Sequence, residues 1–253
     1  MPGEYIIKII LRMFNTDIAE RSLFMKQNKL FIPLLSALFL MNGCKLNHEV
    51  VEHTSFFNAY EQIDEAEIMN LASQADVSLN YGNPEVMYQT AEQVVIARVD
   101  SIDGSSNYNE QTGEYVFPFT YGKMTILAVK KGNLSVNQQV PYLRMGAILT
   151  FEQYYQGLLP DHQQKVAEHM DQQPKYVKHM FGDDIDIEAG KIYLIYIGEN
   201  DSKDSPEKDA YPIIGWEGGL REIKGDLSSQ AQIQVLNNIT GEWENLSQLI
   251  PDE

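Results

Sequence analysis

The single cysteine of the 253-residue chain, Cys44, closes the stretch MKQNKLFIPLLSALFLMNGC, Met25 to Cys44. One cysteine permits no intramolecular disulfide, so whatever folds downstream must be held by its core. The stretch is ordered by type. Lys26 and Lys29 form a positive head. Leu30 to Met41 is apolar except for Pro33 and Ser36, and the small residue Gly43 precedes the cysteine. An apolar run of about a dozen residues suits the core of a secretion signal, roughly 7–15 residues. It is shorter than the ~18–20 residues that a helix needs to cross a bilayer. The order predicts a removable signal over residues 25–43, not a piece of the mature fold.

The end of this stretch, Leu40-Met41-Asn42-Gly43-Cys44, resembles a bacterial lipobox. Gly43 matches the small residue before the cut, whereas Met41 and Asn42 differ from the residues usual there. The resemblance implies cleavage between Gly43 and Cys44 and lipidation of Cys44. The chain would then sit at the extracytoplasmic face of a bacterial cell membrane, held by its lipid. Each buried CH₂ contributes about 0.8 kcal/mol, so two or more acyl chains anchor a domain firmly. Residues 1–24 precede the signal. Translation is expected to start at Met25, which makes 1–24 a misassigned upstream extension; the alternative is a genuine amphipathic segment.

Removing the 43 residues before Cys44 leaves 210, enough for one domain with appendages. Those 43 carry 5 of the 19 basic and 3 of the 36 acidic side chains, so the remainder holds 14 and 33, a net charge of −19. Such a surface repels phosphate and lacks the counterion-release drive of nucleic-acid binding. No nucleic-acid partner is expected. A cationic partner or divalent ions fit the charge better.

The mature chain starts with a polar tether, 44–55, followed by a segment expected to be helical, 56–91. There Asp64-x-x-Glu67 matches a capping box and predicts a helix near Glu65–Gln74. Asn83-Pro84-Glu85 starts a second, ending near Ala91. From Gln93 the pattern turns to strands: Val94–Val99, Tyr115–Tyr121, Lys123–Lys130 and Val136–Met145, with a polar loop over Asp103–Gly113. Pro141 predicts an edge or bulge. Thr150-x-x-Gln153 and Pro160-Asp161 open two helices of an insertion over about 150–170. Strands resume at Tyr176–Phe181 and Lys191–Glu199. Gly218-Gly219 suggests a tight hairpin between Tyr211–Trp216 and Leu220–Lys224. A C-terminal extension, 226–253, adds one strand over Gln232–Leu236, a turn at Thr240-Gly241 and a short helix near Leu246–Leu249.

These elements predict a mainly β chain with inserted short helices (α+β): a small OB-like β-barrel over 92–225, preceded by the helical segment. Ala91–Val99, Ile126–Gly132 and Glu188–Tyr196 together resemble the secreted OB-like barrels of netrin and tissue-inhibitor-of-metalloproteinases modules. The resemblance implies the fold only, because this chain lacks their disulfides and its cysteine would carry lipid.

Four constellations bear on chemistry. Tyr115, Phe117, Phe119 and Tyr121 alternate, so a regular strand directs them to one face, either a stacking platform or core. Asp184, Asp186 and Glu188 would share a strand face, as candidate ligands for calcium or as a solvated surface. Asp103, Ser105, Asn107 and Glu114 partly echo a calcium loop but lack its glycine and flanking helices. His162, His169 and His179 lack zinc-hydrolase spacing and are expected to be solvated. No catalytic motif is recognisable, and no cofactor is expected other than calcium. The sequence therefore suggests a lipid-anchored binding or interaction domain for an unknown protein or envelope ligand. The alternatives are an envelope hydrolase using Asp184 and Asp186, or a structural envelope lipoprotein.

Overall fold

A computed structural model describes residues 56–74, 80–169, 173–182, 184–199 and 209–250. The signal, Cys44, the tether and most of the charged loop after Glu199 lie outside the described residues. Among those described, the fold is mainly β with few short helices. Its strands are β1 (Phe57–Asn58), β2 (Ile68–Ser73), β3 (Gln93–Asn109), β4 (Glu114–Lys131), β5 (Gln139–Met145), β6 (Ala147–Thr150), β7 (Tyr176–Phe181), β8 (Ile192–Ile197), β9 (Tyr211–Ile213), β10 (Leu220–Lys224), β11 (Gln234–Leu236) and β12 (Trp243–Asn245). The larger sheet runs β1-β3-β4-β5-β9-β8-β10-β11-β12, with a further β3–β8 pairing. The smaller is β2-β7-β6.

The continuous apolar runs of β3 and β8 follow from burial on both faces. Val95, Ala97, Val99, Ile195 and Ile197 point into one core with Met124, Ile126 and Tyr142. Val94, Ile96, Leu194 and Tyr196 point the other way. There they meet helix α1 (Pro84–Thr90) and the C-terminal residues Val235, Leu246 and Leu249. A strand covered on both sides has no solvent face to alternate toward. The C-terminal extension thus closes a second core.

Local signals set several boundaries as expected. Asn83 caps α1, its side chain accepting from the Glu85 and Val86 amides, with Pro84 in the first turn. Thr150 and Gln153 form a reciprocal capping box on helix α2 (Phe151–Gln156), and Pro160 opens α3 (Pro160–His169). Pro141 pairs only with Lys123, outside the parallel β5–β9 register that starts at Tyr142. Its missing amide proton therefore disrupts no second ladder.

Four expectations give way. The helix over 65–74 is one 3₁₀ turn, Glu65–Glu67, followed by strand β2. Asp64 does cap that turn, accepting from the Ala66 amide at 2.9 Å. Residues 68–73 then pair in parallel with all of β7, and this long-range ladder overrides local propensity. The polar stretch 103–109 is not a loop. It continues the β3–β4 ladder to Asn109↔Glu114, and only 110–113 turn. Its polar side chains fasten neighbouring elements: Ser105 donates to the Ile148 carbonyl and Asn107 to that of Gln153. No strand forms over 184–188, so those acids share no strand face.

The fourth concerns Gly218-Gly219. They sit in a short helical turn, α4 (Trp216–Gly219), not a hairpin. They are glycine because of close approach. A Cβ on Gly219 would lie 1.4 Å from the Ile214 carbonyl oxygen, and one on Gly218 2.2 Å from that of Tyr81. Backbone cannot yield at such separations. Gly219→Ala is therefore expected to destabilise the full chain by more than about 3 kcal/mol. Gly241→Ala, at φ 74° with open space around it, should cost only about 1–2 kcal/mol. Urea denaturation of the two variants measures the contrast.

Candidate functional site

The turn that requires these glycines carries two side chains, Trp216 and Glu217. Gly215 has φ 83° and Trp216 has φ 44°. Two consecutive left-handed residues are uncommon, and a bulky one is a steric outlier costing about 1–2 kcal/mol. Gly215 accepts hydrogen bonds from the amides of Gly218 and Gly219 at 2.8 and 3.0 Å, which fixes the turn.

Trp216 joins a row of aromatic rings. Tyr81 meets it edge-on at 5.1 Å between centroids, and Phe181 meets it at 5.3 Å. Phe181 stacks on Phe117 at 3.9 Å and 18°. Phe117 touches the His179 ring at 4.7 Å, and Tyr154 approaches His179 at 6.0 Å. All six rings are half-buried. Only Tyr81 touches a main core; the other five belong to neither cluster. The row crosses from α4 over the small sheet to α2.

Two polar features flank it. Ser73 Oγ lies 2.7 Å from His179 Nε2, across the β2–β7 ladder. Burial lowers the His179 pKa, which keeps the imidazole neutral near pH 7. His179 is thus packed and hydrogen-bonded, contrary to the solvated state expected for it. His162 is exposed. The side chain of His169 lies outside those described.

The second feature is an ion pair. Arg144 Nη2 of β5 meets Asp184 Oδ1 at 2.5 Å, with the side chains 3% and 1% exposed. The Asp184 amide donates to the Phe181 carbonyl at 2.9 Å, so the pair lies beside the row. Arg144 Nε and Asp184 Oδ2 are buried without a hydrogen-bond partner. Burial raises the Asp184 pKa to about 6, against the opposing pull of Arg144; the nearby Glu217 carboxylate raises it further.

The alternating aromatics divide. Phe119 is buried, 2% exposed, whereas Tyr115 is 45% exposed and contacts Tyr108 at the hairpin tip. Phe117 joins the row, and Tyr121 is half-buried against Phe119 at 6.3 Å. The ladder shifts register between Ser106 and Tyr108, opposite Pro118, so the four do not form one face. The acidic triplet also divides. Asp184 pairs with Arg144, Asp186 with Lys178 at 2.5 Å, and Glu188 with Lys191 at 2.8 Å. Lys191 also binds Glu222 at 2.9 Å. These acids line a groove of about 340 Å³ with Tyr193 and Asn238. Among the described residues no group of three His, Cys, Asp or Glu side chains converges as a metal site.

Sequence reading did not find Trp216, Phe181 or Ser73. The one legible signal was Gly-Trp-Glu-Gly-Gly, whose glycines frame a single large ring. No family model, curated protein or solved structure matches the chain. Among the described residues no helix is long and apolar enough to cross a membrane.

The raised pKa of Asp184 has a definite sign. The folded state holds this proton up to about pH 6, whereas the unfolded carboxyl releases it near 3.8. The group's contribution to stability is therefore fullest below pH 4 and is lost as pH rises through 6. Asp184→Asn removes this dependence. Relative to wild type, the variant should gain on the order of 2–3 kcal/mol between pH 4 and pH 7. Urea melts of both proteins across that range measure it.

Proposed function

We propose that the chain is a lipid-anchored binding domain on the extracytoplasmic face of a bacterial membrane, tethered through Cys44. Its ligand seats on the aromatic row around Trp216. The observation that carries this reading is the conformation of Trp216. A bulky side chain held at φ 44° by a glycine-clamped turn costs stability that packing into a core does not explain, because the ring lies outside both cores. Retained strain of this kind concentrates at functional sites.

The scaffold is proposed to be an OB-like barrel. The supporting pairings are β3–β4, β4–β5, a parallel β5–β9, β9–β8 and β8–β3, the strand order of that fold. The β8–β9 contact is brief, the pair Ile197↔Ile213. The small sheet then joins β2, which precedes the barrel, to β6 and β7, which are inserted between β5 and β8, and contributes Phe181 and His179 to the site.

A hydrolase using Asp184 and Asp186 has less support. Asp184 is enclosed with Arg144, and Asp186 is tied to Lys178. A catalytic carboxylate pair needs both acids facing one substrate bond. Ser73 and His179 stand at nucleophile–base distance, but among the described residues no acid orients the other ring nitrogen.

The test is a ligand panel of neutral sugars, aromatic solutes and organic cations, followed by saturation-transfer NMR on the full chain. Asparagine tolerates left-handed backbone, so Trp216→Asn removes the ring while keeping the turn. We expect at least one ligand whose signal disappears in Trp216→Asn, with the urea midpoint nearly unchanged. If every bound ligand binds the variant equally, the row is not the site. In cells, palmitate should label the wild type and not Cys44→Ala; equal labelling would refute the anchor.

A further inference from the structure

We infer that the aromatic row accepts an organic cation, an alkylammonium group seated against Trp216. The inference rests on the binding reading above and narrows its ligand.

Charge is the first ground. The chain from Cys44 onward carries a net −19, so an anionic ligand would approach against the field of the whole domain. Arg144 of β5 is committed to Asp184, and Lys178, on the strand that carries His179 and Phe181, to Asp186. Glu217 follows Trp216 directly and lies close enough to Asp184 to raise its pKa. Among the described residues Glu217 forms no ion pair. The turn that holds the ring in strain thus also carries a carboxylate.

Ring chemistry is the second. An indole face attracts cations more strongly than any other side-chain ring. The protein uses this attraction repeatedly within its own fold. Lys224 Nζ sits 3.8 Å from the centroid of Trp243, and Lys131, Lys175 and Arg98 lie 5.3–5.5 Å from Tyr88, Tyr176 and Phe56. Trp243 is therefore supplied with a cation from its own chain. Trp216, among the described residues, has none. A neutral flat ligand would use the rings but leave Glu217 unanswered. A nucleotide would bring phosphate into an acidic surround, where stacking platforms normally rely on a basic groove.

The test compares choline with 3,3-dimethylbutan-1-ol, its neutral isostere, on the full chain carrying Trp243→Phe. Emission then reports Trp216 alone. We expect choline to shift the emission saturably and to bind about tenfold more tightly than the isostere. The difference should shrink as salt rises, and Trp216→Asn should abolish binding measured by calorimetry. Equal affinity for the isostere, or no response to choline, overturns the inference. If neutral sugars or aromatic solutes bind instead and depend on Trp216, the binding site stands and only the cation falls. A vesicle arm separates free cation from lipid headgroup. Trp216-dependent preference for phosphatidylcholine over phosphatidylglycerol vesicles assigns the headgroup, and its absence alongside choline binding assigns the free solute.

Discussion

The buried contact between Arg144 and Asp184 ties the two sheets together. Arg144 belongs to β5 of the larger sheet, and Asp184 follows β7 of the smaller. Elsewhere the small sheet meets the larger one through half-buried rings and through a hydrogen bond from Ser105 of β3 to the Ile148 carbonyl of β6. Taking two charges out of water is expensive, and here one nitrogen and one oxygen are left unpaired as well. Such a pair adds little net stability over a hydrophobic replacement. Removing one partner is different, because it strands the other charge and typically costs about 3–5 kcal/mol. The contact joins β5 to the segment that follows β7. It fixes where the segment after Phe181 lies, and with it the orientation of Phe181 toward Trp216.

A second constraint works on the same place from the opposite side. The Gly215–Gly219 turn approaches Tyr81 and Ile214 so closely that no side chain fits at positions 218 and 219. Backbone packed against backbone is stiffer than side chains packed against each other. The turn therefore cannot relax away from the left-handed conformation at Trp216. Ion pair and glycine clamp act on neighbouring ring positions, one beside Phe181 and one under Trp216. A row of half-buried rings placed by two rigid contacts is preorganised, which lowers the ordering cost of binding.

What could be read from the sequence was whatever depends on neighbours along the chain. Capping at Asn83 and Thr150 is local, and both helices start as their motifs require. The runs Val94–Ala97 and Tyr193–Ile197 were legible because two-sided burial leaves an unbroken apolar pattern. The failures share the opposite cause. Residues 68–73 have helical spacing but find a strand partner more than a hundred residues away. Asp103 to Asn109 looked like a loop because polar side chains occupy a ladder where they bond other elements. Tyr115 to Tyr121 alternate in sequence, yet a register shift at Pro118 splits them between tip, row and core. The acids 184, 186 and 188 look like one cluster, but each is claimed by a different cation, Arg144, Lys178 and Lys191.

The site itself was least legible, for a related reason. Its rings come from five separate stretches, at Tyr81, Phe117, Tyr154, the strand holding His179 and Phe181, and Trp216. None of these stretches has a pattern that separates it from ordinary core. Only conformation separates them. A tryptophan placed for packing would adopt relaxed backbone and join a core, and Trp216 does neither. Its turn sacrifices three side chains to hold one ring in place. The acidic surface then limits what that ring can meet. An anion must overcome the field of the domain, whereas a cation is drawn toward Trp216 and the neighbouring Glu217. In the proposed reading, strain sets the position of the site, and the charge balance sets the sign of its ligand.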